Sequence, residues 1–228
     1  MRLKSMVLHE FRFLMKYGII AIYVIFTLVY LGFLSAIPKS ARSVTAMILI
    51  FTDPAAMGLF FMGAVILLEK SQHIESSLGV SPVKISEYIL AKCVPMMIIG
   101  TIVALVIGIT AGVAALPGLV SGVGLSSFVF SLCGLFVASN IRTLNGFMIA
   151  VVPFEIFLCV PAILYLFGIL KGSYYFLHPG IAAISLISGE NSMWILKMIS
   201  LCIWTVAAFI LCEKAVMKSF ASMGGAKI

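Results

Sequence analysis

Six uninterrupted apolar stretches dominate this chain, and each is long enough to cross a bilayer. An α-helix needs about 20 mostly apolar residues to span ~30 Å of hydrocarbon. Of the 228 residues, 63% are hydrophobic and only 10% are charged, whereas about 25% of an average globular chain is charged. The stretches are continuous and do not alternate as barrel strands do. The sequence therefore predicts an all-α, polytopic membrane protein.

The predicted spans form a single transmembrane domain over residues 1–228. They cover residues 17–37, 46–68, 89–116, 119–138, 146–170 and 193–212. Before them, residues 1–16 place Arg2, His9 and Lys16 on one stripe of an otherwise apolar helix. Such a basic stripe is typical of a helix that lies in the membrane interface. We therefore expect an N-terminal interfacial helix followed by six transmembrane helices.

The distribution of Lys and Arg predicts the orientation of these spans. If both termini are cytoplasmic, eleven of the 15 Lys and Arg residues lie on the cytoplasmic side. The outer side then holds only Lys39, Arg42, Lys171 and Lys197. Cytoplasmic loops carry such an excess of Lys and Arg. The same rule accounts for the net charge of +7 without nucleic acid, and it predicts a multi-pass protein of the inner (cytoplasmic) membrane.

Residues 69–88 form the one long polar loop between apolar stretches. Glu69 and Lys70 end the second span, and we interpret them as a plain interfacial boundary. Residues 71–78 are expected to form a short surface helix that Gly79 ends. Pro82 is suited to the first turn of the next helix, which carries Glu87 towards the third span. The loop is predicted to face the cytoplasm.

The short helix in this loop presents a candidate docking face. Ile74 and Leu78 are four residues apart, so they share one side of a helix, with Glu75 beside them. Charge concentrated in one place suggests contact with a separate, energy-supplying partner. The alternative is an ordinary solvated loop, because protruding loops need no function.

Motifs for catalysis or metal binding are absent from the sequence. There is no GxxxxGK[ST], HExxH or GxSxG pattern, so the chain is not its own P-loop ATPase. The three histidines are far apart, and the five cysteines show no CxxC spacing. We therefore expect no catalytic residue, no bound metal and no cofactor in this chain, and we disfavour an intramembrane enzyme.

Glu155 is the acidic residue predicted deepest in the bilayer, and it lies between Pro153 and Pro161. A carboxylate at such a depth is costly and is a functional candidate by default. It could be a proton or cation site of a secondary carrier, or a neutral, hydrogen-bonded structural group. Its predicted span places it nearer the cytoplasmic end than the middle. Asp53, near the outer end of the second span, is predicted to be the N-cap of a helix that begins at Pro54.

Small residues four apart favour close helix packing in the third and fourth spans. Gly108 and Gly112 form one such pair, and Gly118 and Gly122 form another. They could line a dimer seam, or they could pack the two spans as a hairpin within one chain.

Several of these residues together resemble the membrane subunits of ABC-2 type exporters. The matching positions are Asp53-Pro54, Gly58, Phe60-Phe61, Gly63, Leu68-Glu69-Lys70, Glu75, Val80-Ser81-Pro82, Glu87-Tyr88 and Lys92. In that family an acidic-basic pair ends a span, and a coupling helix, a V-[ST]-P turn and an EY…K segment follow. His73-Ile74 stands where the family often has glycine.

The resemblance implies a compact six-span permease that forms half of a translocation pathway. It implies dimerisation with an identical or similar permease and docking of the 71–79 helix onto an ABC ATP-binding subunit. ATP and Mg²⁺ would be bound by that partner. The implied cargo is a drug, an antimicrobial peptide or a lipid-like molecule. The competing prediction is a proton-coupled secondary carrier that uses Glu155.

Overall fold

The computed structural model describes residues 2–72, 83–113, 115–170, 172–190 and 192–224. These residues form helices and connecting turns, with no strand among them, so the predicted all-α class is confirmed. Six helical segments are long and apolar enough to cross a membrane. They are Ile19–Ala36, Lys39–Ser71, Ile85–Ala111, Leu116–Asn140, Leu144–Leu166 and Trp194–Ala221.

Nine α-helices and two shorter helical turns make up the described part of the chain. In chain order the α-helices are α1 (Arg2–Lys16), α2 (Ile19–Ala36), α3 (Lys39–Ile50), α4 (Met57–Ser71), α5 (Ile85–Ala111), α6 (Leu116–Asn140), α7 (Leu144–Leu166), α8 (Pro179–Ile187) and α9 (Trp194–Gly224). A π-helical turn, Phe51–Ala55, joins α3 to α4. A 3₁₀ turn, Ser173–Leu177, precedes α8.

Local sequence signals explain several of the helix ends. Gly18, at φ 74°, separates α1 from α2, and this left-handed conformation suits glycine because it has no Cβ. Pro117 lies in the first turn of α6, where its missing N–H costs nothing. The Thr143 hydroxyl accepts a hydrogen bond from the Gly146 N–H at 3.2 Å and so caps α7.

The second span is one continuous helix with a wide turn in its middle. Asp53 lies inside the π-helical turn, and Ala56 rather than Asp53 precedes α4, so the predicted N-cap role is wrong. Pro54 cannot donate a backbone hydrogen bond, and the wider turn accommodates that loss without ending the helix. Asp53 is 14 residues after Lys39 and 18 before Ser71. It therefore lies near the middle of this helix and not near its outer end.

Helix α6 is the central element, and close backbone approaches pack it against α4. A Cβ on Gly134 would overlap the backbone of Leu59, and one on Gly58 would meet the Ser131 side chain. Glycine at these positions lets the two helix axes approach closely. The packing fixes the position of α4, which leads into the polar loop.

The segment after α7 contains a buried helix where the sequence suggested only a link. All residues of α8, Pro179–Ile187, are buried, and α8 packs against α6, α7 and α9. Nine residues rise only about 13–14 Å, too little to span a bilayer. The segment therefore fills the core at one end of the bundle.

The four glycines of the predicted packing pairs have different surroundings. A Cβ on Gly108 would meet Leu119 of α6, so the α5–α6 approach lies within one chain. Gly112 instead ends α5 at φ 77°, with open space around it. Gly118 and Gly122 face the α8 backbone at the carbonyls of Leu186 and Ala183. The second pair thus packs α6 against α8 and not against α5.

Candidate functional site

A buried lysine joins three helices beside the polar loop. The Lys92 Nζ of α5 donates to Glu10 Oε2 of α1 at 2.7 Å and also to Glu69 Oε1 of α4. The Tyr88 hydroxyl donates to the other Glu69 oxygen at 3.1 Å. We call Glu10, Glu69, Tyr88 and Lys92 the ion cluster. It ties the last turns of α4 to the first turns of α5, on either side of residues 73–82.

Apolar and aromatic groups enclose the ion cluster. Glu10, Glu69 and Lys92 are only 6%, 5% and 4% exposed. The Lys92 Nζ lies 5.3 Å from the centre of the Phe13 ring and 5.7 Å from that of Tyr88, within the range of cation–π attraction. The Tyr88 ring packs edge-on against Phe220 of α9, with ring centres 5.4 Å apart. The cluster therefore brings together α1, α4, α5 and the end of α9. We call the end of the bundle where these helices meet the Lys92 end.

The ion cluster holds two carboxylates for one lysine, and the burial of Glu10 disfavours the charged form of its carboxyl group. Burial raises the pKa of the Glu10 carboxyl above its ordinary value, and the nearby Lys92 opposes that shift only partly. Desolvation favours the neutral form of a carboxyl group. Glu10 in the folded protein therefore takes up a proton more readily than an exposed glutamate does.

Lys70 fixes the neighbouring end of α6. Its Nζ donates to the backbone carbonyls of Ala138 at 2.8 Å, Ser139 at 2.9 Å and Ile141 at 3.2 Å. The last carbonyls of a helix have no partner within the helix and carry partial negative charge. Lys70 satisfies them, so α4 and α6 are joined at the Lys92 end.

Two residues of the predicted loop boundary, Glu69 and Lys70, bind groups inside the protein. Glu69 belongs to the ion cluster and Lys70 binds the end of α6, so the interpretation of both as a plain interfacial boundary is wrong. Glu87 accepts a hydrogen bond from the Lys84 backbone N–H at 3.3 Å and so caps the start of α5. The other predicted loop residues, Ile74, Glu75, Leu78, Gly79 and Pro82, lie outside the described residues.

Sequence reasoning did not assign roles to Glu10, Tyr88 or Lys92. Tyr88 and Lys92 were noted only as parts of the family-like pattern, and Glu10 lies at the margin of the basic stripe of α1. The signal that could have found them is charge balance. An acidic residue in a helix with a basic stripe, and a lysine about two turns inside an apolar helix, each need a partner.

Glu155 lies at the midpoint of α7, with Leu144 eleven residues before it and Leu166 eleven after it. The expectation that it sits nearer the cytoplasmic end is wrong, because α7 ends four residues earlier than the predicted span. Its side chain is half-buried. Among the described residues, no ion pair reaches Glu155, and no group of three potential metal ligands occurs.

Comparison with known proteins gives a distant relationship to an export permease. No family model matches the chain. It is 29% identical over 142 residues to the fluoroquinolones export permease protein of Mycobacterium tuberculosis, in strains CDC 1551 and H37Rv. The match covers 60% of this chain and 60% of each relative. The likeness supports a membrane permease of an exporter.

Proposed function

We propose that this chain is the permease subunit of an ATP-driven ABC exporter. In this proposal it forms half of the translocation pathway and couples to a separate ATP-binding subunit through residues 69–88. ATP and Mg²⁺ belong to that partner, and this chain contributes no catalytic residue. The chain resides in the cytoplasmic membrane with both termini, and the Lys92 end, in the cytoplasm.

The ion cluster is the observation that carries the proposal. A segment that transmits force must be anchored on both sides, or its movement is lost in local bending. Here Glu69 anchors the side where α4 ends, and Tyr88 and Lys92 anchor the side where α5 begins. Lys70 and Glu10 extend the anchorage to α6 and α1. A push on residues 73–82 would therefore move four helices together.

The distant relatives support export as the direction and drugs as a cargo class. Their names assign them fluoroquinolone export, and this chain shares a 142-residue region with them. We extend only the general class to this chain, as a drug, an antimicrobial peptide or a lipid-like molecule. A second permease subunit, identical or similar, completes the pathway. Apolar side chains exposed on α2, α7 and α9 face lipid or that second subunit.

A proton-coupled secondary carrier is the second candidate function. The observation in its favour is the central position of the half-buried Glu155 in α7. An ionisable group at mid-helix could carry a proton between the two sides of the membrane.

Docking is tested by charging the predicted contact face. In Ile74→Asp/Leu78→Asp, two carboxylates enter an apolar contact, and each unpaired buried charge costs several kcal/mol. The variant should be expressed and inserted normally but should fail to co-purify with the ATP-binding subunit in mild detergent. The control is Leu177→Asp, at a side chain 62% exposed in the 3₁₀ turn. Undiminished co-purification and export by the double variant would contradict the proposed coupling.

A further inference from the structure

A cavity of about 150 Å³ lies between α6, α7 and α9, near the middle of these helices. Its lining residues on α9 are Trp204 and the residues three, four and seven positions after it, so they share one helix face. Two of them, Ala207 and Ala208, are small, whereas α7 contributes the large rings of Phe154 and Phe157. The small side chains of α9 leave the space open.

Contacts outside the cavity hold two of its aromatic walls in place. The Trp204 indole N–H donates to the Leu177 carbonyl at 2.8 Å. The Phe157 ring packs against the His178 ring, with ring centres 4.7 Å apart. Rotation of either side chain into the cavity would break these contacts, and a cavity whose walls cannot collapse keeps its volume.

The cavity suits an apolar occupant better than it suits water. Its lining side chains are hydrocarbon or aromatic except for the Cys133 thiol, and the Trp204 N–H already has an acceptor. A buried water needs several polar partners, whereas an engineered cavity of about 150 Å³ in another protein, lined by Leu, Ile and Phe, stays dry and binds benzene. The cavity here has a similar volume and a similar lining, so its size matches one aromatic ring.

The cavity reaches from the core to the outside of the bundle. Leu132, at its inner wall, is fully buried, whereas Phe157 and Leu211 are 46% and 56% exposed. These exposed side chains belong to the surface that faces lipid or a second subunit. A molecule dissolved in the hydrocarbon of the bilayer therefore has a route into the cavity that does not pass through water.

Two inclined pairs of rings in the wall favour an aromatic occupant over an alkyl chain. The Phe136 and Phe154 rings have centres 6.0 Å apart and planes at 59°. The Phe157 and Trp204 rings have centres 6.0 Å apart and planes at 56°. Aromatic rings attract one another in inclined and offset arrangements, so a bound ring gains contacts with such walls. A flexible chain gains no such contacts and loses rotational freedom when it is confined.

We propose that this cavity binds a benzene-sized aromatic group of a lipophilic molecule that enters from the bilayer. The rings of α6, α7 and α9 recognise the aromatic group, and Ala207 and Ala208 leave room for it. The role of this molecule as cargo rests on the proposed export function, whereas its binding does not depend on an ATP-binding subunit.

The fluorescence of Trp204 measures binding to this cavity. The chain has two tryptophans, so Trp194→Phe, outside the cavity, leaves Trp204 as the only indole. The full-length variant in lipid nanodiscs is titrated with iodobenzene, whose iodine quenches a nearby indole, and with 1-iodohexane as the flexible, apolar control. Ligand dissolved in lipid quenches in proportion to its concentration, whereas ligand bound in the cavity adds a component that saturates. We expect the saturable component with iodobenzene alone.

Filling the cavity should remove the saturable component. Ala208→Leu places a larger side chain where the ring would lie, and one methylene too many in an apolar pocket already costs about 10–200-fold. The affinity for iodobenzene should therefore fall by about tenfold or more. Ala21→Leu, the same substitution at an exposed position of α2, is the matched control and should leave the affinity unchanged. If Ala208→Leu does not fold, Ala207→Leu decides by the same criterion.

The possible occupants of the cavity give different results. A saturable component for iodobenzene that Ala208→Leu removes and Ala21→Leu retains supports the proposal. A purely proportional response to iodobenzene overturns it and is the result expected if a second subunit fills the cavity. Equal saturation by iodobenzene and 1-iodohexane also overturns it, because an acyl chain would then be an equally good occupant. Failure of the docking experiment above would contradict ATP coupling and would leave this result intact.

Discussion

At the scale of single residues, Lys92 is the most consequential side chain in the described part of the molecule. It binds Glu69, 23 residues before it, and Glu10, 82 residues before it. One buried ammonium group therefore holds α1 and both sides of the polar loop. Removing one partner of a buried ion pair is far more costly than removing an exposed charge.

We expect Lys92→Met to destabilise the protein by about 3–5 kcal/mol, because Glu10 and Glu69 would remain buried without a counter-ion. Methionine keeps much of the length of the side chain, so the loss reports mainly on charge. The measurement is the free energy of unfolding in detergent micelles titrated with sodium dodecyl sulfate. Lys218→Met, at an exposed position of α9, is the matched control. Similar stabilities for both variants would disprove a structural ion cluster.

Glu10 predicts a pH dependence of stability. Its pKa is raised in the folded protein above the ordinary value of 4.5, so folding takes up a proton between those two pKa values. Its stabilising contribution is present below pH 4.5 and is lost as the pH rises through the folded pKa. Thermal unfolding in detergent, measured across this range, should show stability falling with pH. Glu10→Gln should flatten the dependence, and an unchanged slope would show that another group causes it.

The sequence predicted which residues border the loop but not what they do there. Glu69, Lys70 and Glu87 were recognisable because charge is scarce between apolar stretches. Their roles depend on partners far along the chain, such as Glu10 for Lys92 and the end of α6 for Lys70. A single sequence contains no information that pairs such distant positions, so the ion cluster could not be assembled from it.

At the scale of helices, run length predicted the spanning elements well and failed for the short ones. Apolar stretches of 20 or more residues are unambiguous, because only a bilayer or a very large core can hold them. The nine residues of α8 are too few for that argument, and their apolar character alone does not distinguish a helix from a buried link. Asp53-Pro54 likewise looked like a helix start, because sequence rules do not foresee a π-helical turn.

Gly180 tests the packing of α8 against α7. A Cβ at this position would overlap the Leu158 backbone carbonyl, and a backbone atom cannot move aside as a side chain can. We expect Gly180→Ala to cost about 1–3 kcal/mol through overpacking. Gly32→Ala in α2 has open space around its Cβ and should instead stabilise by up to about 1 kcal/mol through helix propensity. The measurement is the free energy of unfolding of both variants in detergent. Equal changes in Gly180→Ala and Gly32→Ala would contradict the close approach of α7 and α8.

At the scale of the whole molecule, the distribution of Lys and Arg predicts which end of the bundle faces the cytoplasm. Two of the lysines that favour a cytoplasmic Lys92 end, Lys70 and Lys92, bind groups within the protein. The remaining basic residues, including exposed Arg2, Arg12, Lys16, Lys214 and Lys218, still favour that side. The cytoplasmic position of the Lys92 end therefore remains a prediction. It is supported by fewer basic residues than the count from the sequence, because Lys70 and Lys92 have partners within the protein.

Cysteine labelling in intact cells measures this orientation. In a variant without native cysteines, Ser40→Cys at the start of α3 should react with an impermeant maleimide from outside. Gln72→Cys, exposed at the end of α4, should react only after the membrane is permeabilised. The reverse pattern would place the loop outside and would refute docking to a cytoplasmic ATPase.

The energy source separates the two candidate functions of the whole molecule. If the proposed function is correct, ATP should drive uptake of ethidium, a fluorescent lipophilic cation, into inverted vesicles that contain this chain and the proposed ATP-binding subunit. Uptake should persist after nigericin dissipates the pH gradient, because hydrolysis in the partner supplies the work. Glu155→Gln, which keeps the size but removes the ionisable group, should transport at nearly the wild-type rate. A carrier behaves oppositely: an imposed pH gradient alone would drive uptake by the wild type, and Glu155→Gln would abolish it, since a glutamine cannot take up and release a proton.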